Sequence, residues 1–156
     1  MQFEVHDMRE PYIINGFDYV FNLFTSFGYF EAEAENLKVL RAAADNLKSN
    51  GTLILDYLNV TKVVPNLIAS EEQLIDGIVF KINRVYNGKH IIKDIRIQDG
   101  LKQQHYRESI AALDLRAFKK MAQKAKLNIT KVYGDYDLND FNEQHSNRLI
   151  LVIKKQ

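Results

Sequence analysis

A succession of strand, helix and strand between residues 17 and 57 constrains the fold of this chain more than any other feature. Residues 17–23 are apolar apart from Asp18 and Asn22, as is typical of a central parallel strand covered on both faces. An amphipathic helix is predicted over residues 31–49 and a second buried strand over residues 52–57. Strands joined by such a helix form a right-handed crossover, so the sequence predicts parallel pairing in an α/β fold.

The predicted helix has clear signals along its length. Its apolar stripe consists of Leu37, Leu40, Ala44 and Leu47. Glutamates at its start and Lys48 at its end complement the helix dipole, and Asn50-Gly51 is expected to stop it. The loop before it, residues 22–30, follows the carboxyl end of the first strand. Ligands bind at that position in open α/β sheets.

The apolar period changes from helical to strand-like after an irregular stretch over residues 61–70. Asn87-Gly88 and Asp99-Gly100 are strong hairpin-turn signals, and alternating residues flank both of them. We therefore predict a three-stranded antiparallel meander over residues 74–110. Because it interrupts the α/β order, we expect it to be an insertion or cap over one end of the sheet.

The two ends of the chain also carry regular patterns. Residues 2–7 alternate as a short strand that is broken before Pro11, which cannot donate to a ladder. After the meander, the pattern predicts a helix capped by or near Asp114 that runs to about Lys126, and strands over residues 128–133 and 148–154.

Composition excludes several classes of function. The chain has 156 residues, a net charge of +1 and no cysteine, so we expect no nucleic-acid footprint, no disulfide and no thiolate metal site. No apolar run is long enough for a membrane span. The four histidines lack metal-ligand spacing, so no metal is expected. A cytoplasmic location is the default.

Several motifs taken together resemble a known family. They are Phe17-Asp18, Ser26–Phe30, Leu47-Lys48, Gly51–Asp56, Gly134–Asp137 and Ser146–Arg148. In this order and spacing they resemble the carboxyl-terminal portion of a class I S-adenosylmethionine-dependent methyltransferase of the small-molecule type. The resemblance implies one truncated domain over residues 1–156. Its fold class would be α/β, the second half of a Rossmann-like methyltransferase sheet with the meander inserted.

The resemblance also implies a partial site for the cofactor, S-adenosylmethionine. Asp7 and Met8 would form the adenine-contacting turn, because residues 2–7 match the family's third strand. Asn22 and Phe24 would lie beside the cofactor at the end of the fourth strand. Three of them have a plainer alternative: Asp7 as a turn residue, Phe24 as a core aromatic, and Asn22 as an amide bonded to backbone.

Candidate substrate-binding residues come from the central loop and from the meander. They are Ser26, Tyr29, His105 and Arg107. Strand alternation puts the last two on one face and Tyr106 with Glu108 on the other, and either pair could line a cavity. A surface tyrosine and a solvated strand face are the plainer alternatives. Such families have no fixed catalytic residue, so none is assigned.

One departure from the family pattern changes the expected organisation. No Gly-x-Gly cofactor loop occurs anywhere in the sequence, and the family's first strand, which lies beside the fourth, is absent. The chain would then be a fragment, a degenerate reading frame or one partner of a split assembly. We expect the open edge of residues 17–23 to pair with another copy, an N-terminal partner or residues 2–7.

Two functions therefore follow from the sequence. The first is methyl transfer to a small-molecule acceptor, with this chain as the carboxyl-terminal part of the enzyme. The alternative is a catalytically inactive truncated domain that serves as an interaction or oligomerisation module. A different nucleotide-binding protein is disfavoured because no phosphate loop is present.

Overall fold

The computed structural model describes residues 2–155, which form two four-stranded sheets and three helices. The first sheet contains β1 (Phe17–Asn22), β2 (Leu47–Leu58), β7 (Leu127–Tyr133) and β8 (Arg148–Lys155). The second contains β3 (Ser70–Ile75), β4 (Ile78–Tyr86), β5 (His90–Asp99) and β6 (Lys102–Ala111). The helices are α1 (Glu33–Asn46), α2 (Val60–Val63) and α3 (Leu115–Lys124). Within residues 2–155, no helix is long and apolar enough to cross a membrane.

The first sheet has the strand order β1-β2-β8-β7 and confirms the predicted crossover. β1 pairs with β2 in parallel, whereas β8 is antiparallel to both of its neighbours. The apolar stripes of α1 and α3 pack on one face of this sheet, around Leu40, Leu55 and Phe118. Asp114 caps α3 as expected, since its carboxylate accepts from the Ala117 amide at 2.7 Å.

The meander has four strands over residues 70–111, so the prediction of three strands over residues 74–110 is wrong. The additional strand, β3, precedes an Asp76-Gly77 turn in which both residues have positive φ, 49° and 81°. This dipeptide carries the same signal as the two turns that were recognised. The sequence of β3, SEEQLI, lacks clean apolar alternation, which is why its pattern did not reveal it.

Helix α1 ends at Asn46, so the expected stop at Asn50-Gly51 is wrong. Leu47 is already extended, with φ −76° and ψ 137°, and belongs to β2. Asn50 has a φ of 65° within an irregular stretch of that strand, where the pairing with β1 shifts register. The left-handed residue therefore forms part of a strand bulge instead of a helix cap.

Residues 2–7 form no strand, so that prediction is also wrong. Phe3 and Val5 are fully or almost fully exposed. A strand needs a neighbour, and residues 2–7 pair with none. The chain that follows them is attached to the end of α1. The Asn46 side chain accepts from the backbone amides of Tyr12 and Ile13 at 2.7 and 3.0 Å. Residues 2–7 therefore add no strand to the β1 edge, although His6 lies beside it.

Strand β1 is not covered on both faces, contrary to the prediction. Tyr19 and Phe21 are 61% and 60% exposed, and their rings stack on each other at 6.2 Å. They lie on the face opposite α1 and α3, whereas Val20 points toward the core. The exposure follows from the layer order, because α1 and α3 pack on the other face of the sheet. Within the described residues, β1 also has a neighbouring strand on one side alone.

Candidate functional site

A cavity of about 620 Å³ lies where the first sheet meets the meander. We call it the meander cavity. Its lining comes from the loop after β1, the segment around α2, the base of the meander and the start of β8. The loop and α2 both follow carboxyl ends of parallel strands, so the cavity occupies the position where α/β sheets bind ligands.

The loop that borders this cavity has an unusual backbone. Phe24 and Thr25 have φ values of 57° and 61°, and two successive non-glycine residues in this region are strained. Their conformation is held by Asp56 at the end of β2. Its carboxylate accepts from the Phe24 amide at 2.8 Å, and its carbonyl accepts from the Thr25 amide at 3.0 Å.

Asp56 is also the centre of a buried ion pair. Its side chain is 1% exposed and lies 2.7 Å from the guanidinium of Arg148, the first residue of β8. Arg148 donates in turn to the Thr25 hydroxyl at 2.9 Å, and the Tyr136 hydroxyl donates to Asp56 at 3.0 Å. This network ties the loop to β2 and β8 and thereby fixes one wall of the cavity.

The loop after β1 is also joined to the meander. Gly28 has a φ of 88°, and a Cβ at this position would lie 2.6 Å from the Tyr57 hydroxyl. The Ala111 amide donates to the Gly28 carbonyl at 2.8 Å, and the buried Tyr57 hydroxyl donates to the Ala111 carbonyl. Burial raises the pKa of Tyr57, so this hydroxyl remains a donor.

The meander contributes a wall of paired charges. Arg84 lies 2.5 Å from Glu71, and Lys93 lies 3.6 Å from Glu108. Arg84, Lys93 and Glu108 are cross-strand neighbours. Tyr29 also lines the cavity, and burial, together with the charge of Glu108, raises the pKa of its hydroxyl. The wall therefore offers both donors and acceptors to a polar ligand.

A second, smaller cavity of about 220 Å³ lies beside β1. We call it the edge cavity. Met8 and Asn22 line it together with core side chains. The side-chain oxygen of Asn22 is buried and has no hydrogen-bond partner among the described residues. A buried acceptor without a donor is costly in a folded protein, so a donor from a ligand would be favourable at this position.

The structure separates the candidate residues into groups. Met8 and Asn22 share the edge cavity, and Phe24 and Tyr29 share the meander cavity. Asp7 lines neither cavity. Its carboxylate pairs with the Arg9 guanidinium at 2.6 Å. Their roles in cofactor and substrate binding stay predictions.

The other candidates lie away from both cavities. The Ser26 hydroxyl donates to its own loop, at the Leu23 carbonyl. On the meander, His105 contacts Asp94 at 3.0 Å, and Arg107 is exposed on the same strand. Glu108 faces the meander cavity instead, so the structure brings the opposite face of β6 to this site.

Sequence reasoning missed Asp56 and Arg148 as site residues. A signal was present, because each is a charged residue at the end of an apolar strand. Charges at such positions are rarely buried unless they are paired. Lys62 was also missed, since residues 61–70 were expected to be irregular, whereas α2 presents its side chain to the meander cavity. Among residues 2–155, no group of three potential metal ligands occurs.

Many solved structures are similar to this chain, and three examples each match 97% of its length. One is an S-adenosylmethionine-dependent methyltransferase from Clostridium acetobutylicum, with a TM-score of 0.86 and 18% identity. Another is the methyltransferase CcbJ from Streptomyces caelestis, at 0.80 and 14%. The third is CalS10, an amino pentose methyltransferase from Micromonospora echinaspora, at 0.67 and 15%.

These similarities show the fold of the chain, which is the Rossmann-like α/β fold of methyltransferases. The resemblance noted in the sequence is confirmed at this level. The chain spans 62–63% of the length of the three structures. No protein-family model and no curated protein matches it.

Proposed function

We propose that this chain forms the acceptor-binding part of an S-adenosylmethionine-dependent methyltransferase that acts on a small molecule. The observation that carries the proposal is the meander cavity of about 620 Å³ at the carboxyl ends of β1 and β2. Its volume suits a small-molecule acceptor. The three similar structures are all named as methyltransferases, and CalS10 is named for an amino pentose.

The edge cavity fits the proposed cofactor in one respect. The orphaned oxygen of Asn22 would accept a hydrogen bond from a hydroxyl or amino group of the cofactor. Met8 would contact an apolar part of it in the same cavity, and Phe24 would lie on the boundary between cofactor and acceptor. Asp7 would have to give up its contact with Arg9 before it could bind the cofactor. When bound, S-adenosylmethionine supplies an activated methyl group on a sulfonium.

The residues of the chain would act mainly by positioning. The Asp56 network holds the loop, and Tyr29 and Glu108 both line the cavity. Either group can hydrogen-bond to an acceptor hydroxyl or amine, and the Glu108 carboxylate can accept the proton that this group loses. Orientation and exclusion of water account for most of the acceleration expected of such a site.

Completion of the cofactor site would require further protein. The sequence contains no Gly-x-Gly loop, and the chain spans 63% of the first similar structure. The free edge of β1 would receive the added strand, from an N-terminal partner or from a second copy of the chain. A cytoplasmic location belongs to the same proposal and agrees with the lack of cysteine.

A titration of the ¹⁵N-labelled chain with S-adenosylhomocysteine tests this function. With part of the site present, we expect weak binding, in the millimolar range, that shifts the amides of residues 22–25. Asn22→Leu should abolish these shifts, whereas the exposed control Asn128→Leu should retain them. Absence of any shift, or shifts that Asn22→Leu leaves unchanged, would contradict the proposal.

The second candidate function is an inactive interaction module. The exposed, stacked rings of Tyr19 and Phe21 favour it, because they are apolar surface beside an unpaired strand edge. It predicts a stable complex through β1 without any response to S-adenosylhomocysteine.

A further inference from the structure

The charges that line the meander cavity are balanced with one exception. Arg84 is paired with Glu71, Lys93 with Glu108, and Arg148 with Asp56. Lys62 lines the same cavity, and no carboxylate of residues 2–155 lies within ion-pair distance of it. One positive charge of the cavity is therefore uncompensated by the chain.

Lys62 is held in place by uncharged oxygen atoms. Its ammonium group donates to the His145 carbonyl at 2.8 Å and to the Asn147 side chain at 2.6 Å. A lysine ammonium has three N–H donors, so one remains for a ligand. The two contacts restrict the side chain and reduce the entropy that it would lose on binding.

The backbone around Lys62 is fixed as well. Asn59, the residue before α2, is 2% exposed. Its amide group donates to the carbonyls of Glu143 and Ser146 at 2.9 and 2.8 Å. Because Asn59 and Lys62 both bond to the loop before β8, the ammonium is positioned by two segments that lie far apart in sequence.

We propose that the small molecule bound in the meander cavity carries an anionic group, a carboxylate or a phosphate, which Lys62 binds. The inference rests on the proposed function, since it describes the methyl acceptor. The anion would complete the charge balance of the cavity and accept the third N–H of Lys62. Apolar residues such as Leu58, Ile91 and Ile110 line the same cavity, so the remainder of the acceptor would be partly apolar.

Four small aromatic probes test this inference by NMR titration of the full chain: benzoate, phenyl phosphate, benzyl alcohol and benzylamine. We expect one of the two anions to bind about tenfold more tightly than the alcohol, the usual effect of a charge-assisted hydrogen bond. The shifts should include the amides of residues 61–63 and 147–148. Comparison of benzoate with phenyl phosphate identifies which anion the site prefers.

Substitutions assign the preference to one side chain. Lys62→Met should remove the preference for the anions, and Lys62→Arg should retain much of it. Lys131→Met is the matched control, because Lys131 is exposed on β7 and lines no part of the cavity; it should bind the anions as the unaltered chain does.

Three results would overturn the inference: equal or tighter binding of the alcohol or amine, an anion preference that survives in Lys62→Met, or no shift with any probe. Different results would contradict the proposed function. Anion binding without a response to S-adenosylhomocysteine would contradict methyl transfer and leave the anion site standing. A response to S-adenosylhomocysteine without anion preference would contradict the anion site alone.

Discussion

Strands β1 and β8 lie on the two sides of β2 and differ sharply in their surroundings. Leu149, Leu151 and Ile153 of β8 face α1 and α3 and are at most 1% exposed, whereas Tyr19 and Phe21 of β1 lie on the opposite face of the sheet and are about 60% exposed. Both strands are rich in apolar residues, so composition does not explain the difference. α1 and α3 cover the face that carries the three β8 residues but not the face of Tyr19 and Phe21. Among the described residues, β1 also lacks a second neighbouring strand.

The loop at the carboxyl end of β1 does not share the exposure of its strand. The loop after β1 is held firmly although its strand lies at an edge, because Asp56 of β2 and Arg148 of β8 bind it. The structure therefore places a preformed loop beside an incomplete edge. This is the arrangement expected if the acceptor side of a site is built by this chain and the cofactor side is completed by other protein.

The largest expected effect on stability concerns Asp56, which links the loop after β1 to Arg148 of β8. Asp56→Ala would leave Arg148 without its partner, and loss of one member of a buried pair costs about 3–5 kcal/mol of unfolding free energy. Asp18→Ala is the control, since Asp18 pairs with Lys48 at the exposed surface and surface pairs contribute at most about 1 kcal/mol. Urea denaturation measures both, and equal costs would contradict the assigned network.

A matched truncation tests the comparison of β8 with β1 directly. Leu151→Ala should cost about 2–5 kcal/mol through the cavity that it leaves in the core. Phe21→Ala should cost less than about 1 kcal/mol, because the ring is exposed. A large cost for Phe21→Ala, measured in the same denaturation series, would mean that the face of β1 is covered in solution.

Two glycine substitutions measure how tightly the loop is packed against the meander. Gly28 and Gly88 have similar φ values of 88° and 91°, but a Cβ at Gly88 meets no atom within 4 Å. The difference between Gly28→Ala and Gly88→Ala therefore isolates the contact with Tyr57, and we expect it to be about 1–3 kcal/mol. Equal melting temperatures of the two variants would show that Tyr57 moves away from the added methyl group at little cost, which would contradict tight packing.

The smallest effect concerns the segment beside the β1 edge. The side-chain hydrogen bond from Arg9 lowers the pKa of Asp7 to about 2. The contact should therefore persist as the pH falls through the usual pKa range of aspartate, and it should be lost as the pH approaches 2. A carboxyl ¹³C titration measures this pKa, which should return to the usual range in Arg9→Met; an ordinary value in the unaltered chain would contradict the contact.

The sequence could predict elements whose signals are local. Periodicity located both long helices, and the crossover followed from residues 17–57 alone. Failures occurred where the outcome depends on a neighbour: residues 2–7 have strand alternation but no partner strand, and residues 17–23 have the composition of an interior strand at an edge. The β3 strand was missed because apolar and polar residues hardly alternate in it, although the Asp76-Gly77 turn signal indicates a hairpin at its end.

The candidate site was less accessible to sequence reasoning than the fold. The central loop was recognised, yet its anchors Asp56 and Arg148 are 92 residues apart in sequence. Their pairing depends on the order of the strands in the sheet, which a local sequence pattern does not predict. The choice of His105 and Arg107 over the opposite face of β6 failed to reach the cavity for a related reason: alternation separates the two faces but does not say which one faces the sheet.

Hydrogen–deuterium exchange of β1 and β8 in the isolated chain tests the central claim most directly. We predict that every amide of residues 149–153 is protected, whereas in residues 17–22 the amides that point away from β2 exchange rapidly. This pattern should appear in dilute samples, since β1 has a neighbouring strand on one side alone among the described residues. Uniform protection of residues 17–22, equal to that of β8 and independent of protein concentration, would contradict the claim.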